Sequence, residues 1–505
     1  MTPEHLLSQK LLILLSVCLV AVAMPISFTG PAVALLAIGR ALGDDPVALN
    51  WVTNAFMLAF GSTLLATGVL ADLFGRKRIF LAGAGLFIAS SLALSAAPNI
   101  VAFDLLRAFQ GVAAAAAFSG GTAALAQEFD GAARTRAFSL LGTTFGIGLS
   151  FGPILSGFLV ERYGWHSVLL AIAAITAIAF CCGAVCLKES RNPAAQAPDW
   201  WGGLTFTASL AALTFGVLEA PEQGWLSSFV LIALLAAGTI GALFVAIEMR
   251  VAHPLLDLSL FRYPRFVGVQ FLAAAPAYGF VVLLILLPIR FTGIEGYDTV
   301  ETGRLMMALS GPLLFVPFAA ALLTRWFSPG AIAGFGLVVS ACGLVWLAYS
   351  PLGNAAAIVG PMLTIGLGIG LPWGLMDGLA VSVVPVERAG MATGIFGTTR
   401  VAGEGIALAI VSALLAGFIQ AALRDGAAGP ESGLATAAHR IATGDLAGAA
   451  NLLPGTEQDL LVSAYGQAFH QLVLMLAAAT TASALIVFGF LSHRRRPQEA
   501  RLAGE

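Results

Sequence analysis

Five charged side chains interrupt long apolar stretches of this chain and are the first candidates for chemistry: Asp104, Arg107, Asp377, Arg400 and Glu404. If those stretches cross a bilayer, each charge costs roughly 2.5 to 3.5 kcal/mol at the centre and is retained where it has a partner or a task. Arg400 and Glu404 lie four residues apart, so they share a helix face and can neutralise each other. Asp104 precedes Arg107 by about one turn and can pair with it. The spacing therefore predicts paired charges inside an apolar bundle.

The three carboxylates are candidates for carrying a proton, because a group that changes charge between two sides of a membrane is normally an acid. A structural role remains open for each of them. Glu404 can be the fixed counterion of Arg400, Asp377 can face a water-filled crevice, and Asp104 can lie at headgroup level. Uncharged side chains are expected to line a cavity; these are Asn54, Phe56, Thr63, Gln110 and Ser119.

The remaining reactive residues are not arranged for catalysis or for metal binding. The six histidines flank the apolar stretches, and no two have metal-ligand spacing on one face. All five cysteines lie inside apolar stretches, where they pack rather than form disulfides. The formal net charge of -2 lacks the basic field that binds nucleic acid. We therefore expect no enzyme activity, no metal, no cofactor and no nucleic-acid partner.

The elements that carry these residues are predicted to be membrane-spanning helices. Hydrophobic residues make up 59% of the 505 residues and charged residues 10%, with a mean hydropathy of +0.92, against roughly a quarter charged in soluble domains. With about twenty residues per span, the sequence predicts an all-α integral membrane protein of about fourteen spans. Their predicted bounds are 11–36, 48–71, 79–97, 101–128, 137–160, 166–187, 202–219, 227–249, 265–289, 303–324, 331–350, 356–383, 392–422 and 470–491.

The distribution of Lys and Arg predicts the orientation of these spans. Seventeen of the 25 basic residues fall on the side that holds the N-terminus, so both termini are expected in the cytoplasm, with the chain in the inner or plasma membrane of the cell. Polar links predict a six-helix bundle in residues 1–190, a linking helix pair in 200–250 and a second six-helix bundle in 265–492. Segment 423–469 is rich in Gly and Ala and is expected outside the membrane, with weak amphipathic helices at most.

The predicted loop between spans two and three has a specific pattern. It reads Gly68-Val-Leu-Ala-Asp72-Leu-Phe-Gly75-Arg76-Lys77-Arg78. Gly68 permits close helix approach, Asp72 can pair with a basic group or cap a helix, and Gly75 permits a tight turn. An ordinary loop on the positive side of a membrane needs the cations but neither Asp72 nor both glycines. The pattern resembles the signature cytoplasmic loop of the major facilitator superfamily.

Span four carries a second pattern, Leu106-Arg107-Ala-Phe-Gln110-Gly111. It resembles the second motif of the same superfamily, whose arginine is linked to proton relay. The alternative is that Arg107 extends along the helix to the headgroups.

Span five carries a third pattern, a stripe of small residues with one proline. The stripe lets another helix approach closely, and the proline can bend the helix. It resembles the antiporter motif of the superfamily, with Ser156 in place of a usual glycine, although ordinary close packing also uses such a stripe. Its residues are Gly142, Gly146, Gly148, Gly152, Pro153, Ser156 and Gly157.

Over essentially the whole chain the resemblance is to the fourteen-helix drug:proton antiporter branch. It implies proton-coupled efflux of amphipathic or lipophilic small molecules by alternating access, and hence multidrug resistance. The sequence departs from that branch in span one, where no acid stands near the stretch from Ile26, and in span thirteen, where Glu404 stands at a usual glycine pair. The acid that the branch carries in span one is therefore absent.

The resemblance also implies the partners of the protein. They are small-molecule substrates, protons and membrane lipid, and an accessory export protein remains open. Uptake or facilitated movement of a small metabolite by the same fold is the alternative function. A membrane sensor or an intramembrane enzyme is a more distant alternative, which would need a signalling domain or a nucleophile with its base.

Overall fold

The computed structural model describes residues 3–43, 46–129, 131–191, 199–224, 226–251, 254, 256, 258–383, 389–424 and 431–492. Within these residues the chain forms helices and turns and no strand. Helices satisfy their backbone hydrogen bonds internally, which a lipid environment requires of a spanning segment. Residues 192–198 of the predicted polar link lie outside the described part of the chain.

Twenty α-helices occur in the described residues. They are α1 Pro3–Val33, α2 Leu35–Leu42, α3 Pro46–Phe74, α4 Arg76–Leu94, α5 Ile100–Glu128, α6 Gly131–Tyr163, α7 His166–Cys186, α8 Trp200–Gln223, α9 Ser228–Glu248, α10 Pro264–Pro276, α11 Leu283–Ile289, α12 Thr299–Ser310, α13 Val316–Leu323, α14 Pro329–Ala348, α15 Ala355–Trp373, α16 Met376–Ser382, α17 Ala389–Arg424, α18 Glu431–Ala442, α19 Leu446–Leu452 and α20 Gln458–Leu491. Short 3-10 turns lie at Leu258–Arg262 and Gly311–Leu314. Two π-helical turns, Ala277–Val281 and Arg290–Ile294, flank α11.

Thirteen helical segments of the described chain are long and apolar enough to cross a membrane. The predicted all-α membrane fold is thereby confirmed. The difference from the predicted fourteen spans lies at α8, which has 24 residues and is long enough to cross about 30 Å of hydrocarbon. It is not among the thirteen. It nevertheless packs along α9, α3 and α17.

Helix starts and helix contacts follow from local sequence. The Asn99 side chain accepts a hydrogen bond from the backbone N–H of Ala102 at 2.9 Å and so caps α5. Between α5 and α3 the backbones approach closely, because a Cβ on Gly111 would lie only 2.9 Å from the backbone nitrogen of Phe60. Small residues at such contacts allow the van der Waals packing that holds helices together in lipid.

Two seams join the N-terminal helices (α1–α7) to the C-terminal helices (α10–α20). At the first seam α3 packs on α17, and at the second α6 packs on α12. Met57 faces Gly405 across the first seam, and Ile154 faces Gly303 across the second. Because α8 contacts both α3 and α17, it covers the first seam. We call the end of the bundle that holds Gly75 the loop end and the end that holds α18 and α19 the hairpin end.

The hairpin end is more ordered than the sequence predicted for segment 423–469. Helices α18 and α19 occupy part of it, and α20 begins at Gln458 rather than at 470. A turn at Gly444, with φ of +87°, joins the two short helices. Arg440 forms an ion pair with Asp445 at 2.8 Å across that turn. Leu434 and Ala438, at helical spacing on α18, are buried despite the Gly-rich composition, so this short amphipathic helix packs its apolar face inward.

Candidate functional site

A small cavity lies between the N-terminal and C-terminal helices, near the middle of α3 and α17. Its volume is about 20 Å³, roughly the space of one water molecule. The wall comes from α1, α3, α6 and α17, and it is apolar or aromatic except for one carboxylate. The lining residues are Met24, Pro25, Phe28, Phe56, Met57, Phe60, Phe145, Leu149, Val401 and Glu404.

Glu404 is the acid in this wall. Its residue is 3% exposed, and its Oε1 has no hydrogen-bond partner among the described residues. A buried carboxylate oxygen without a donor makes the anion costly, because that oxygen has lost water and gained no partner in exchange. A proton or a cationic ligand that reaches the cavity would remove that cost. The geometry therefore suits a group whose charge changes during a cycle.

Arg400 does not pair with Glu404, contrary to the sequence prediction. Its Nη1 lies 3.4 Å from Oδ1 of Asp377 on α16. Its guanidinium stacks between Phe145, at 5.2 Å from the ring centroid, and Phe396, at 5.7 Å. The four-residue spacing permits an Arg400–Glu404 pair, but the aromatic rings and the acid on α16 draw the arginine away. This leaves the carboxylate of Glu404 to the cavity.

Asp377 lies where α16 of the C-terminal helices contacts α6 of the N-terminal helices. It stands in the first turn of α16, and its side chain is 26% exposed. A Cβ on Gly142 of α6 would lie 3.4 Å from its Oδ2. The Arg400–Asp377 pair therefore borders α6, so movement of α6 changes the surroundings of both charges.

Arg107 is fully buried in α5 and is held by neutral groups. Its Nε donates to the carbonyl of Val52 at 2.7 Å. Its Nη1 donates to Ser27 Oγ at 3.1 Å and to Gln110 Oε1 at 2.6 Å. Its guanidinium lies 4.6 Å from the ring centroid of Phe56, a cavity residue. The side chain thus joins α1, α3 and α5 beside the cavity and does not reach a headgroup region.

Asp104 was expected to be the partner of Arg107, and the structure does not form that ion pair. The half-buried Asp104 has an Oδ1 without a hydrogen-bond partner among the described residues. Arg107 instead points toward α1 and α3, where Ser27 and the carbonyl of Val52 accept its hydrogen bonds. The one-turn separation permits an Asp104–Arg107 ion pair, but the guanidinium forms its hydrogen bonds with acceptors on neighbouring helices instead.

Of the uncharged residues expected to line a cavity, Phe56 lies in this wall and the other four do not. Gln110 belongs to the Arg107 network, and its Nε2 donates to Ser91 Oγ at 2.7 Å. Ser119 donates to Thr67 Oγ1 at 3.1 Å. Thr63 donates to the carbonyl of Ala59 at 2.6 Å, and Asn54 is buried in α3. Gln110 and Ser119 thus join neighbouring helices, whereas the bond of Thr63 lies within α3.

The signature loop is tied to two neighbouring helices. Asp72 Oδ1 accepts from Arg76 at 3.0 Å and 2.8 Å. Arg76 also donates to Gln127 of α5 at 2.6 Å, and Lys77 donates to the carbonyl of Ala184 on α7 at 2.7 Å. Gly68, at the start of the motif, lies 4.0 Å from Ser119 of α5, measured from the position a Cβ would take. The loop therefore joins α3 and α4 to α5 and α7.

Gly75 has a conformational and a steric reason to be glycine. Its φ is +117°, a region that residues with a Cβ rarely adopt. A Cβ there would also meet the carboxylate of Glu189, which pairs with Arg78 at 3.5 Å. Glu189 is thus part of the loop's anchorage, and the sequence pattern alone did not single it out.

We expect Gly75→Val, and to a lesser degree Asp72→Asn, to impair transport while membrane insertion is retained. The valine must leave the positive φ and displace Glu189, and a shift of about 1 to 2 kcal/mol between two conformers changes their populations roughly five- to thirty-fold. Transport rates and the amount of folded protein in the membrane check this. Gly353→Val is the matched control, because Gly353 also has a positive φ but no atom within 4 Å. Equal loss in both variants would assign the effect to backbone strain alone.

The small-residue stripe of α6 packs on α1. A Cβ on Gly148 would lie 3.1 Å from Pro25, and one on Gly152 would lie 3.4 Å from the Cα of Ile26. Pro153 lies inside α6, and both Pro153 and Gly157 are buried. The stripe therefore brings α6 close to the wall of the cavity, where Phe145 and Pro25 line it from the two helices.

The sequence reasoning missed two groups. Trp373 is buried on α15 with its ring centroid 6.5 Å from that of Phe145, and its Nε1 has no partner among the described residues. Arg290 and Glu295 form a 2.6 Å ion pair, 1% and 2% exposed. The predicted span 265–289 ends just before Arg290, so the sequence places this residue in a loop outside the span. The nearness of Glu295, five residues further along the chain, is the feature of the sequence that could have indicated this ion pair.

Comparisons with known proteins agree with these motifs. A model described as Major Facilitator Superfamily matches residues 15–408. Multidrug resistance protein Stp of Mycobacterium tuberculosis (strain CDC 1551 / Oshkosh) is 31% identical over 386 residues, which are 76% of this chain and 71% of that protein. The probable actinorhodin transporter of Streptomyces coelicolor is 30% identical over 439 residues, covering 80% of this chain and 73% of that protein.

A solved structure shares the fold at low sequence identity. The crystal structure of a bacterial homolog to the human lysosomal transporter Spinster, inward-facing and unoccupied, matches with a TM-score of 0.63 and 15% identity. The match covers 97% of this chain and 99% of that one. By its family model, its relatives and its fold, this multi-pass membrane protein belongs to the Major Facilitator Superfamily.

Proposed function

We propose that the protein is a secondary active transporter that exports amphipathic or lipophilic small molecules in exchange for protons, with Glu404 as the proton carrier. The relatives named above are described as a multidrug resistance protein and as a probable transporter of an antibiotic. The observation that carries the site assignment is the buried carboxylate of Glu404, whose Oε1 has no hydrogen-bond partner among the described residues, in an aromatic cavity between the two sets of helices.

The chemistry of the cavity wall supports substrates of this class. Aromatic faces and methionine side chains offer apolar, adaptable contact without fixed hydrogen-bond geometry. The cavity has room for about one water molecule in this structure, so in this proposal a substrate enters when the two sets of helices rock apart. A wall of such groups then accepts varied hydrophobic shapes, and a single carboxylate adds one charge-dependent contact. Small polar metabolites need several directed hydrogen bonds, which this wall of ten residues with one carboxylate does not offer.

Alternating access follows from the two seams. In this proposal residues 1–190 and 265–492 form two bundles that rock about the cavity, and the pair α8–α9 in residues 200–250 accompanies them. The Arg400–Asp377 pair borders α6, and Arg107 touches the cavity residue Phe56. Both arginines thus contact aromatic rings of the cavity wall, so rocking of the two bundles changes the surroundings of both.

The orientation is the first testable part of the proposal. In this proposal the loop end lies in the cytoplasm together with both termini and the hairpin end lies outside, because the positive-inside rule favours the cytoplasm for the basic residues of the signature loop. We expect topology reporters fused after Arg496 and near Gly433 to give opposite signals, cytoplasmic for the first and external for the second. The helix α20 lies between the two fusion sites, so equal signals would mean that α20 does not cross the membrane and would contradict this orientation.

A toxicity panel tests the direction and the energy source of transport. Cells that carry the protein should tolerate a set of lipophilic toxic compounds better than cells without it, and an uncoupler should erase the difference, because dissipation of the proton gradient removes the driving force. Increased sensitivity in the presence of the protein would instead indicate uptake. Protection that survives the uncoupler would exclude proton coupling.

A further inference from the structure

The span that opens the C-terminal helices has two irregular turns. Residues Pro264–Ile294 form one continuous apolar segment, but the π-helical turns Ala277–Val281 and Arg290–Ile294 interrupt its α-helix. A π turn holds one extra residue, and such turns inside α-helices occur frequently at functional sites. The short helix α11, Leu283–Ile289, lies between them. It is therefore bounded at both ends by a turn that can gain or lose a residue.

Helix α11 also lies at a boundary between the two sets of helices. It contacts α1 of the N-terminal helices toward the hairpin end. Four of its leucines, Leu283, Leu284, Leu286 and Leu287, are buried. If the first π turn lost its extra residue and the second gained one, the segment between the turns would rotate by about 100°, since an α-helix has about 3.6 residues per turn. Such a rotation would replace the apolar contact with α1.

Polar contacts hold both π turns against α20. In the first turn, the hydroxyl of Tyr278 shares a hydrogen bond with the hydroxyl of Ser483. In the second turn, the guanidinium of Arg290 lies 4.8 Å from the ring centroid of Phe469. Ser483 and Phe469 both belong to α20. One long helix thus holds the two ends of α11.

The second π turn has further contacts through Arg290. Arg290 Nε donates to Glu295 Oε1 at 2.6 Å, which closes the π turn on itself, and Arg290 Nη2 donates to the carbonyl of Pro351 at 3.3 Å. The pair is 1% and 2% exposed. A charge left alone there would have neither water nor a counterion, so loss of one partner is much more damaging than loss of both. On the outer side, the backbone of Gly293 lies directly against Gly444 of the hairpin.

We propose that Tyr278, Arg290 and Glu295 are positioning residues for transport, which hold the two π turns in one register and thereby keep α11 closed against α1 at the hairpin end. Release of the turns lets α11 rotate and opens the contact between α11 and α1 at the hairpin end. The assignment goes beyond the proton exchange proposed above and depends on it only for the transport readout. In this proposal the second π turn, the buried ion pair and α20 together fix the position of α11.

The test uses the full-length protein, purified and reconstituted. Tyr278→Phe removes one hydroxyl, and Tyr263→Phe, at an exposed tyrosine outside the turns, is its matched control. The double variant Arg290→Met with Glu295→Met removes both charges at similar volume, so no buried charge is left alone. Three quantities are measured for each variant. The first is the hydrogen-exchange rate of the amides of residues 282–294, and the second is the melting temperature. The third is the transport of a fluorescent lipophilic dye, as turnover and KM.

We expect amide exchange in residues 282–294 to rise at least about tenfold in Tyr278→Phe and in the double variant, but not in Tyr263→Phe, because local opening becomes easier. Turnover should change while the KM for the dye stays within about twofold, since the cavity is untouched. Unchanged exchange in Tyr278→Phe would overturn the proposal, and so would an equal rise over all of α20. If the double variant fails to fold, the exchange rates of Tyr278→Phe alone test the proposal.

Hydrogen exchange measures the opening of α11 directly and does not depend on transport. Absence of proton-driven export would therefore refute the proposed function but not the result on α11.

Discussion

Replacement of Glu404 by Gln is expected to abolish proton-driven, uphill export while downhill exchange of substrate continues. Glutamine keeps the size of the side chain, and no hydrogen bond to Oε1 is lost because none is made among the described residues. The fold should therefore persist. The variant cannot bind and release a proton, so substrate movement is no longer tied to the proton gradient. Vesicles with an imposed pH difference measure the uphill component, and counterflow at equal pH measures exchange.

The control for this prediction is Glu161→Gln, a charge removal at an exposed position of α6, which should leave both activities unchanged. If Glu404→Gln still concentrates substrate with an unchanged pH dependence, Glu404 has only a structural role. Asp377 and Asp104 are then the next carboxylates to replace by their amides. Of the two, Asp377 has the stronger structural case, because it pairs with Arg400 beside α6.

Arg107→Met is expected to eliminate transport and to lower the thermal stability of the purified protein, and Arg107→Lys should rescue little of either. Arg107 donates to Val52, Ser27 and Gln110 at once. Each acceptor that is left buried without a donor costs roughly 1 to 3 kcal/mol. A lysine carries the charge but lacks the planar fork that reaches acceptors on two helices together. Melting temperature and transport in vesicles measure the two effects.

Arg162→Met is the matched control, because Arg162 lies exposed near the end of α6 and should tolerate the change. Full activity of Arg107→Lys would show that the charge alone is needed and that the hydrogen-bond geometry is not. Wild-type stability of Arg107→Met would contradict the structural reading of the network.

Much of the fold could be predicted because lipid imposes a simple rule on sequence. A run of about twenty apolar residues must become a helix, and the positions of charges and prolines then separate the runs. The rule is weakest where composition is mixed. The start of α20 at Gln458 precedes its apolar part. This boundary depends on packing against neighbouring helices, which the spacing of apolar residues does not contain.

The candidate site was predictable in its residue types and only partly in its pairings. Motif spacing located Arg107, Asp72 and Gly75 because each has a local reason to be there. The partner of Arg400 could not be read from the chain, because Asp377 is 23 residues away and meets it only through the packing of α16 on α17. Ion pairs within one helix are visible as i, i+4 spacing, whereas those between helices need the fold.

The most direct test of the account is a paired measurement of protons and substrate in vesicles that contain only this protein. An acidic vesicle interior is imposed, without ATP, and the uptake of a lipophilic dye is followed together with the internal pH. The account predicts that dye accumulates against its gradient while protons leave, that an uncoupler stops both fluxes, and that Glu404→Gln uncouples them. Dye that only equilibrates, with no change in proton flux, would contradict exchange of substrate for protons.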